Sequence, residues 1–137
     1  MTLTLKPQHV EFVYDELDTN AINFQLEGGY LSIQTGVYLE DDERLNEAFI
    51  EFNEQGNAQC GGIERVTFFR DKISINFPES APYLGEYCSV DVWPDGGVTR
   101  QMVDFFNNHL FLGELTEYAD DFDMTNASPP VAKRDYL

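Results

Sequence analysis

From Val10 to Phe77, apolar side chains return at every second position in one run after another. The runs are Val10, Phe12 and Tyr14; Ile22, Phe24 and Leu26; Leu31 and Ile33; Ala48, Ile50 and Phe52; Val66 and Phe68; and Ile73, Ile75 and Phe77. A strand sends successive side chains to opposite faces, so this spacing describes strands with one face buried and one wet. Polar or glycine-rich breaks separate them at 15–20, at Glu27 to Gly29, and at Asp71 and Lys72, and the first and last pairs of runs read as hairpins. Gly36 marks a bulge before the short apolar run Val37 to Leu39, and Glu54 to Gly62 reads as a structured loop. Beyond Pro78 and Pro82, Cys88 to Trp93 reads as a further strand with Val90 and Val92 inward and Trp93 exposed.

After Gly97 the period changes. Val98, Met102, Phe105, Phe106, His109 and Leu112 recur at helical spacing, with Arg100, Gln101, Asp104, Asn107 and Asn108 on the other side. Thr99 is placed as the N-cap, Val98 and Val103 as a hydrophobic staple, and Gly113 as the stop. The expected fold is α+β: an antiparallel sheet of about six strands with one amphipathic C-terminal helix, Val98 to Leu112, packed on one face. A chain of 137 residues has length for one core, which we place in a single domain over 1–113. An acidic, proline-containing extension follows over 114–137, to cover its own sheet or to swap onto a neighbour as a homodimer.

The chain carries 25 acidic and 8 basic residues, a formal charge of −17, while a hydrophobic content of 42% still supplies a core. A field of that sign disfavours direct contact with nucleic acid or anionic lipid and favours a basic partner. No apolar run reaches the roughly 18 residues of a membrane span, and the N-terminus lacks a signal peptide's apolar segment, so we expect no membrane association and a cytoplasmic location.

Catalytic, metal and cofactor signatures are missing from the residue pattern. Cys60 and Cys88 lack metal-ligand spacing and read as two buried thiols, and His109 reads as a histidine at the edge of the core. Neither acidic run, Glu40 to Glu43 or Asp120 to Asp123, has the spacing of a calcium loop. No nucleophile and base signature occurs, and Gly61 and Gly62 lack the lysine and helix of a phosphate loop. We therefore expect a binding protein that is not an enzyme and holds no cofactor. The competing reading is a small hydrolase or sugar-modifying enzyme using two carboxylates.

The segment from Glu51 to Phe77 carries a resemblance. Glu51, Asn53, Gln55, Asn57, Gly61, Gly62, Ile63 and Glu64, followed by Arg70, Asp71 and the run Ile73 to Phe77, are similar to the central motif of the bacterial immunity protein family numbered ten. The likeness covers 46–112, with Cys60 where the family pattern has an aromatic residue. It implies a protein encoded beside a polymorphic toxin that protects the producing cell by binding the toxin domain. The charge fits a nuclease toxin, whose cleft must be basic to hold phosphates. We expect Asn53, Gln55, Asn57, Gly61, Gly62, Ile63 and Glu64 to be structural, the amides satisfying backbone groups around the Gly61–Gly62 turn. Toxin contact is expected where acids meet aromatics: Tyr38 with Glu40, Asp41, Asp42 and Glu43, or Tyr118 and Phe122 with Asp120, Asp121 and Asp123.

Overall fold

A computed structural model describes residues 2–39, 47–60, 62–78, 87–131 and 133, and for 54–60 the backbone alone. The opening hairpin forms as the alternation requires. Strands β2 (His9–Glu16) and β3 (Thr19–Leu26) pair antiparallel, and β4 (Gly29–Gly36) and β5 (Phe49–Phe52) extend the sheet in chain order. Gly36 closes β4 instead of forming a bulge within it. The segment expected as a loop is a strand, β6 (Glu54–Cys60), which pairs with β5 across an irregularity at Glu51 and Phe52. Its polar sequence hides it from a periodicity reading, because an edge strand is held by its backbone ladder and needs no apolar face.

The remaining strands form a second sheet, so the expectation of one sheet of about six strands is corrected to two sheets of five among the described residues. Its order is β1 (Thr2–Leu5), β9 (Ser89–Val92), β8 (Ile73–Asn76), β7 (Arg65–Phe68) and β10 (Thr116–Tyr118). The β7–β8 hairpin is as read, but β1 and β10 pair parallel to β9 and β7. Alternation shows which residues face inward and says nothing about which strands become neighbours.

Register converts the alternation into a core. Phe12, Ile22, Ile33 and Ile50 form one row across the first sheet, and Val10, Phe24, Leu31 and Phe52 form another. In the second sheet the rows are Leu3, Val90, Ile75 and Val66, and Leu5, Val92, Ile73 and Phe68. The fully buried members of these rows, among them Phe24, Ile33 and Phe68, each contribute about 1.5 to 3 kcal/mol of burial. Trp93, just past β9, is 39% exposed as expected.

The helix is shorter and wider than expected. Thr99 caps it, its side-chain oxygen accepting from the Met102 amide at 3.3 Å, and α1 runs Arg100–Asp104 before opening into a π-turn, Phe105–His109. The helical part ends at Leu110, ahead of Gly113, which begins a 3-10 turn. The helix packs against both sheets. Phe105 meets Phe12 and Tyr14 edge-on at 5.5 and 5.2 Å, while Phe106 meets Phe68 at 5.6 Å. Two adjacent buried phenylalanines need apolar surroundings on two sides, which a helix lying on one sheet face would not supply.

The segment beyond Gly113 belongs to the same core. Besides supplying β10, it buries Phe122, which stacks on Tyr118 at 5.0 Å and packs on Phe68. Asn107, read as solvent-facing, is buried: its amide donates to the Ser128 carbonyl at 2.7 Å and to Tyr118 Oη at 3.1 Å, and it accepts from Thr116 Oγ1 at 2.7 Å. The polar side of the helix is where the tail docks. Among the described residues no helix is long and apolar enough to cross a membrane.

Candidate binding surfaces

On the outer face of the first sheet, four polar residues stand in one register row, one per strand: Glu11 on β2, Asn23 on β3, Ser32 on β4 and Glu51 on β5. They are joined side by side. Ser32 Oγ donates to Asn23 Oδ1 at 2.6 Å, Asn23 Nδ2 donates to Glu11 Oε1 at 2.8 Å, and the Tyr30 hydroxyl donates to Glu51 Oε2. With Gln25, Leu26 and Gly29 these residues line an open groove of about 480 Å³.

The motif builds one end of this groove. Asn53, with a left-handed φ of +64°, turns the chain between β5 and β6 and sends Oδ1 to the amide of Tyr30 at 2.9 Å. A Cβ on Gly29 would lie 2.1 Å from that oxygen, so glycine is required there for closeness. The backbone group that the Asn53 side chain satisfies lies at the β3–β4 turn, where the expectation placed it at the Gly61–Gly62 turn. Gly62 has φ +91°, Ile63 packs half-buried against the core, and exposed Glu64 donates its amide to the Asn76 carbonyl. Gln55 and Asn57 lie on β6 with side chains outside the description, and Gly61 is outside the described residues.

The two expected contact surfaces fare differently. In the tail, Tyr118 and Phe122 are engaged within the chain's own core, which leaves exposed carboxylates without the aromatic partners the expectation gave them. Asp121 accepts from the Arg70 amide at 3.2 Å, Asp123 caps the turn Met124–Asn126, and Asp120 is exposed. The hydroxyl and amide of Thr125 hold the Asp123 carboxyl below its ordinary value. At the other surface Tyr38 is half-buried and Leu39 is 43% exposed, whereas Glu40, Asp41, Asp42 and Glu43 lie outside the described residues.

The residues flanking that acidic run are informative. Leu39 borders a hollow shared with Phe111, Pro130 and Val131, and Glu47 borders another shared with Phe111, Ile63 and Leu115. Phe111 holds a left-handed φ of +57°, an outlier for a bulky residue, and also lines a third hollow with Tyr14, Asn20 and His109. His109 lies at the core edge as read: it stacks on Phe105 at 5.3 Å, and its Nε2 stands 3.3 Å from Asp104.

For paired-carboxylate hydrolysis the two acids must stand about 5 to 9.5 Å apart. Glu11 and Glu51 stand on strands three intervals apart, about 14 Å between their backbones by strand spacing. Among the described residues no three His, Cys, Asp or Glu side chains converge as a metal site. Compared with protein-family models, with curated proteins and with solved structures, the chain finds no match in any of the three.

Proposed function

We propose that the protein is an immunity protein that binds and neutralises a bacterial polymorphic toxin domain carrying a basic surface, a nuclease with a phosphate-holding cleft fitting best. The observation that carries this reading is the excess of carboxylates on a packed domain: 25 acids against 8 bases. Among the described cations Lys72 pairs with Asp91 at 3.1 Å, Arg70 with Asp71 at 3.2 Å and Arg65 with Glu117 at 3.9 Å, and 8 bases leave most of the 25 carboxylates to face solvent or a partner. Such a field steers a basic partner into encounter, and buried aromatic and apolar contacts then hold it. The motif resemblance supplies the partner's class. Leu39 and Glu47 border two hollows that share Phe111, and these offer apolar surface on which a docked partner can be retained.

The test is stopped-flow association with the toxin domain encoded immediately upstream. The on-rate should fall steeply as salt shortens the screening length below about 10 Å, with the off-rate changing less. Replacing Asp41, Asp42 and Glu43 together by their amides should weaken the complex at least about tenfold, ~1.4 kcal/mol, and leave the melting temperature unchanged or higher. Absence of binding overturns the proposal, and a salt-independent on-rate removes its electrostatic part.

A further inference from the structure

Both hydroxyl protons lining the groove on the outer face of the first sheet are engaged within it, Ser32's on Asn23 and Tyr30's on Glu51, and an amide proton of Asn23 is engaged on Glu11. Each of these bonds uses one lone pair of a carboxylate or amide oxygen, whereas an ionised carboxylate offers about four such sites. Glu11 and Glu51 therefore keep acceptor sites and negative charge facing the groove, which match a cation with several N–H groups.

We propose that this groove takes the guanidinium of an arginine side chain from the basic partner, with Glu51 as its carboxylate and the Tyr30 ring as its wall. The assignment rests on the reading of the protein as a binder of a basic toxin domain. Tyr30 is held from both sides of its peptide, its amide donating to Asn53 Oδ1 and its carbonyl accepting from the Asn53 amide, each at 2.9 Å. The backbone carrying the phenol is thus held, and the phenol already bonds Glu51 before a ligand arrives, which lowers the ordering cost of binding. A planar guanidinium can pair with a carboxylate edge while stacking on an aromatic face; a lysine ammonium does the first as a point charge and lacks the planar stack.

The experiment titrates the full ¹⁵N-labelled chain with L-argininamide, and separately with L-lysinamide and L-glutaminamide, following amide shifts. The expected result is a saturable response at Tyr30, Ser32 and the Gln25 side chain, weaker with lysinamide and missing with glutaminamide. Glu51→Gln, an isosteric change at a half-buried position, should reduce argininamide affinity at least tenfold, and Tyr30→Phe should reduce it while keeping the ring. Shifts confined to Asp120 to Asp123, or unchanged affinity in Glu51→Gln at an unchanged melting temperature, overturn the assignment. The upstream toxin separates this inference from the reading beneath it. If wild type and Glu51→Gln bind the toxin equally, the groove is not a contact and the immunity reading stands. If argininamide saturates the groove and the toxin does not bind at all, the groove's chemistry stands and the immunity reading falls.

Discussion

Asn53 and Tyr30 exchange two hydrogen bonds across 23 residues of sequence: the Tyr30 amide donates to Asn53 Oδ1, and the Asn53 amide donates to the Tyr30 carbonyl, both at 2.9 Å. The pair joins the turn that ends β5 to the turn that starts β4. It holds the backbone of Tyr30, whose hydroxyl donates to Glu51.

Asn53→Ala should destabilise the protein by about 1 to 2 kcal/mol, chiefly because it puts alanine at a left-handed φ that asparagine tolerates, and in part because it removes the acceptor of an exposed turn hydrogen bond. Gly29→Ala should cost about 1 kcal/mol or more, since its Cβ displaces the Asn53 side chain from the same bond. Gly29 has no left-handed φ, so closeness to Asn53 is the whole of its requirement. The double variant should therefore lose less than the sum of the two, by about 1 kcal/mol in urea unfolding. Simple additivity would show that the two residues do not share one interaction.

Asp104 gives the tail's attachment a dependence on acid. Burial raises its carboxyl, but hydrogen bonds from Asn108 and Ser128 and the neighbouring His109 lower it more, leaving it below the ordinary 3.8. A carboxyl held low in the folded state contributes fully above its unfolded value and loses that contribution as pH falls through the folded one. Asp104→Asn should cost on the order of 1 kcal/mol at neutral pH, less than a buried pair would because the side chain is 40% exposed. Melting curves of the two proteins should converge as pH drops below 3.8, and a gap that persists unchanged in acid would contradict the assignment.

Phe122→Ala should cost about 3 to 5 kcal/mol, the range for emptying a buried phenylalanine site, because its ring is only 6% exposed and packs on Phe68 and Tyr118. Ending the chain at Gly113 should be worse, since it removes β10 from the edge of β7 and strips Asn107 of three partners. Thermal unfolding decides the point. A truncated chain that melts with the full one would mean that the tail is an accessory.

Inward-facing positions were legible because period-2 spacing is a direct image of strand geometry, and Ile22, Ile33, Ile73 and Ile75 are all buried as the spacing requires. Hairpin partners were legible too, as in β2–β3 and β7–β8, but distant partners were not, since no local pattern tells β9 to lie beside β8 or β1 to run parallel to β9. β6 was read as a loop because Glu54 to Cys60 has the glycine and asparagine of a turn, and the backbone ladder that makes it a strand leaves no trace in side-chain type. The groove was missed for a related reason. Glu11, Asn23, Ser32 and Glu51 each look like an ordinary wet-face residue, and only register brings them into one row. The sequence signal that remained is Gly29 followed by tyrosine, with Asn53 ahead of a glycine- and asparagine-containing segment, and it points to a turn without saying which turn.

The second sheet draws its outer strands from opposite ends of the chain: β1, whose Thr2 side chain meets Ser89 across 87 residues, and β10, which arrives only after the helix. The first sheet is assembled from neighbours in sequence and is complete by Cys60. During synthesis, therefore, the first sheet has all its strands while the second still has a vacant edge on β7, and closure of distant pairs is the slow class of folding event. Newly made chains pass through an interval in which the edge of β7 is unpaired, and it ends only when Thr116–Tyr118 has been released to pair there.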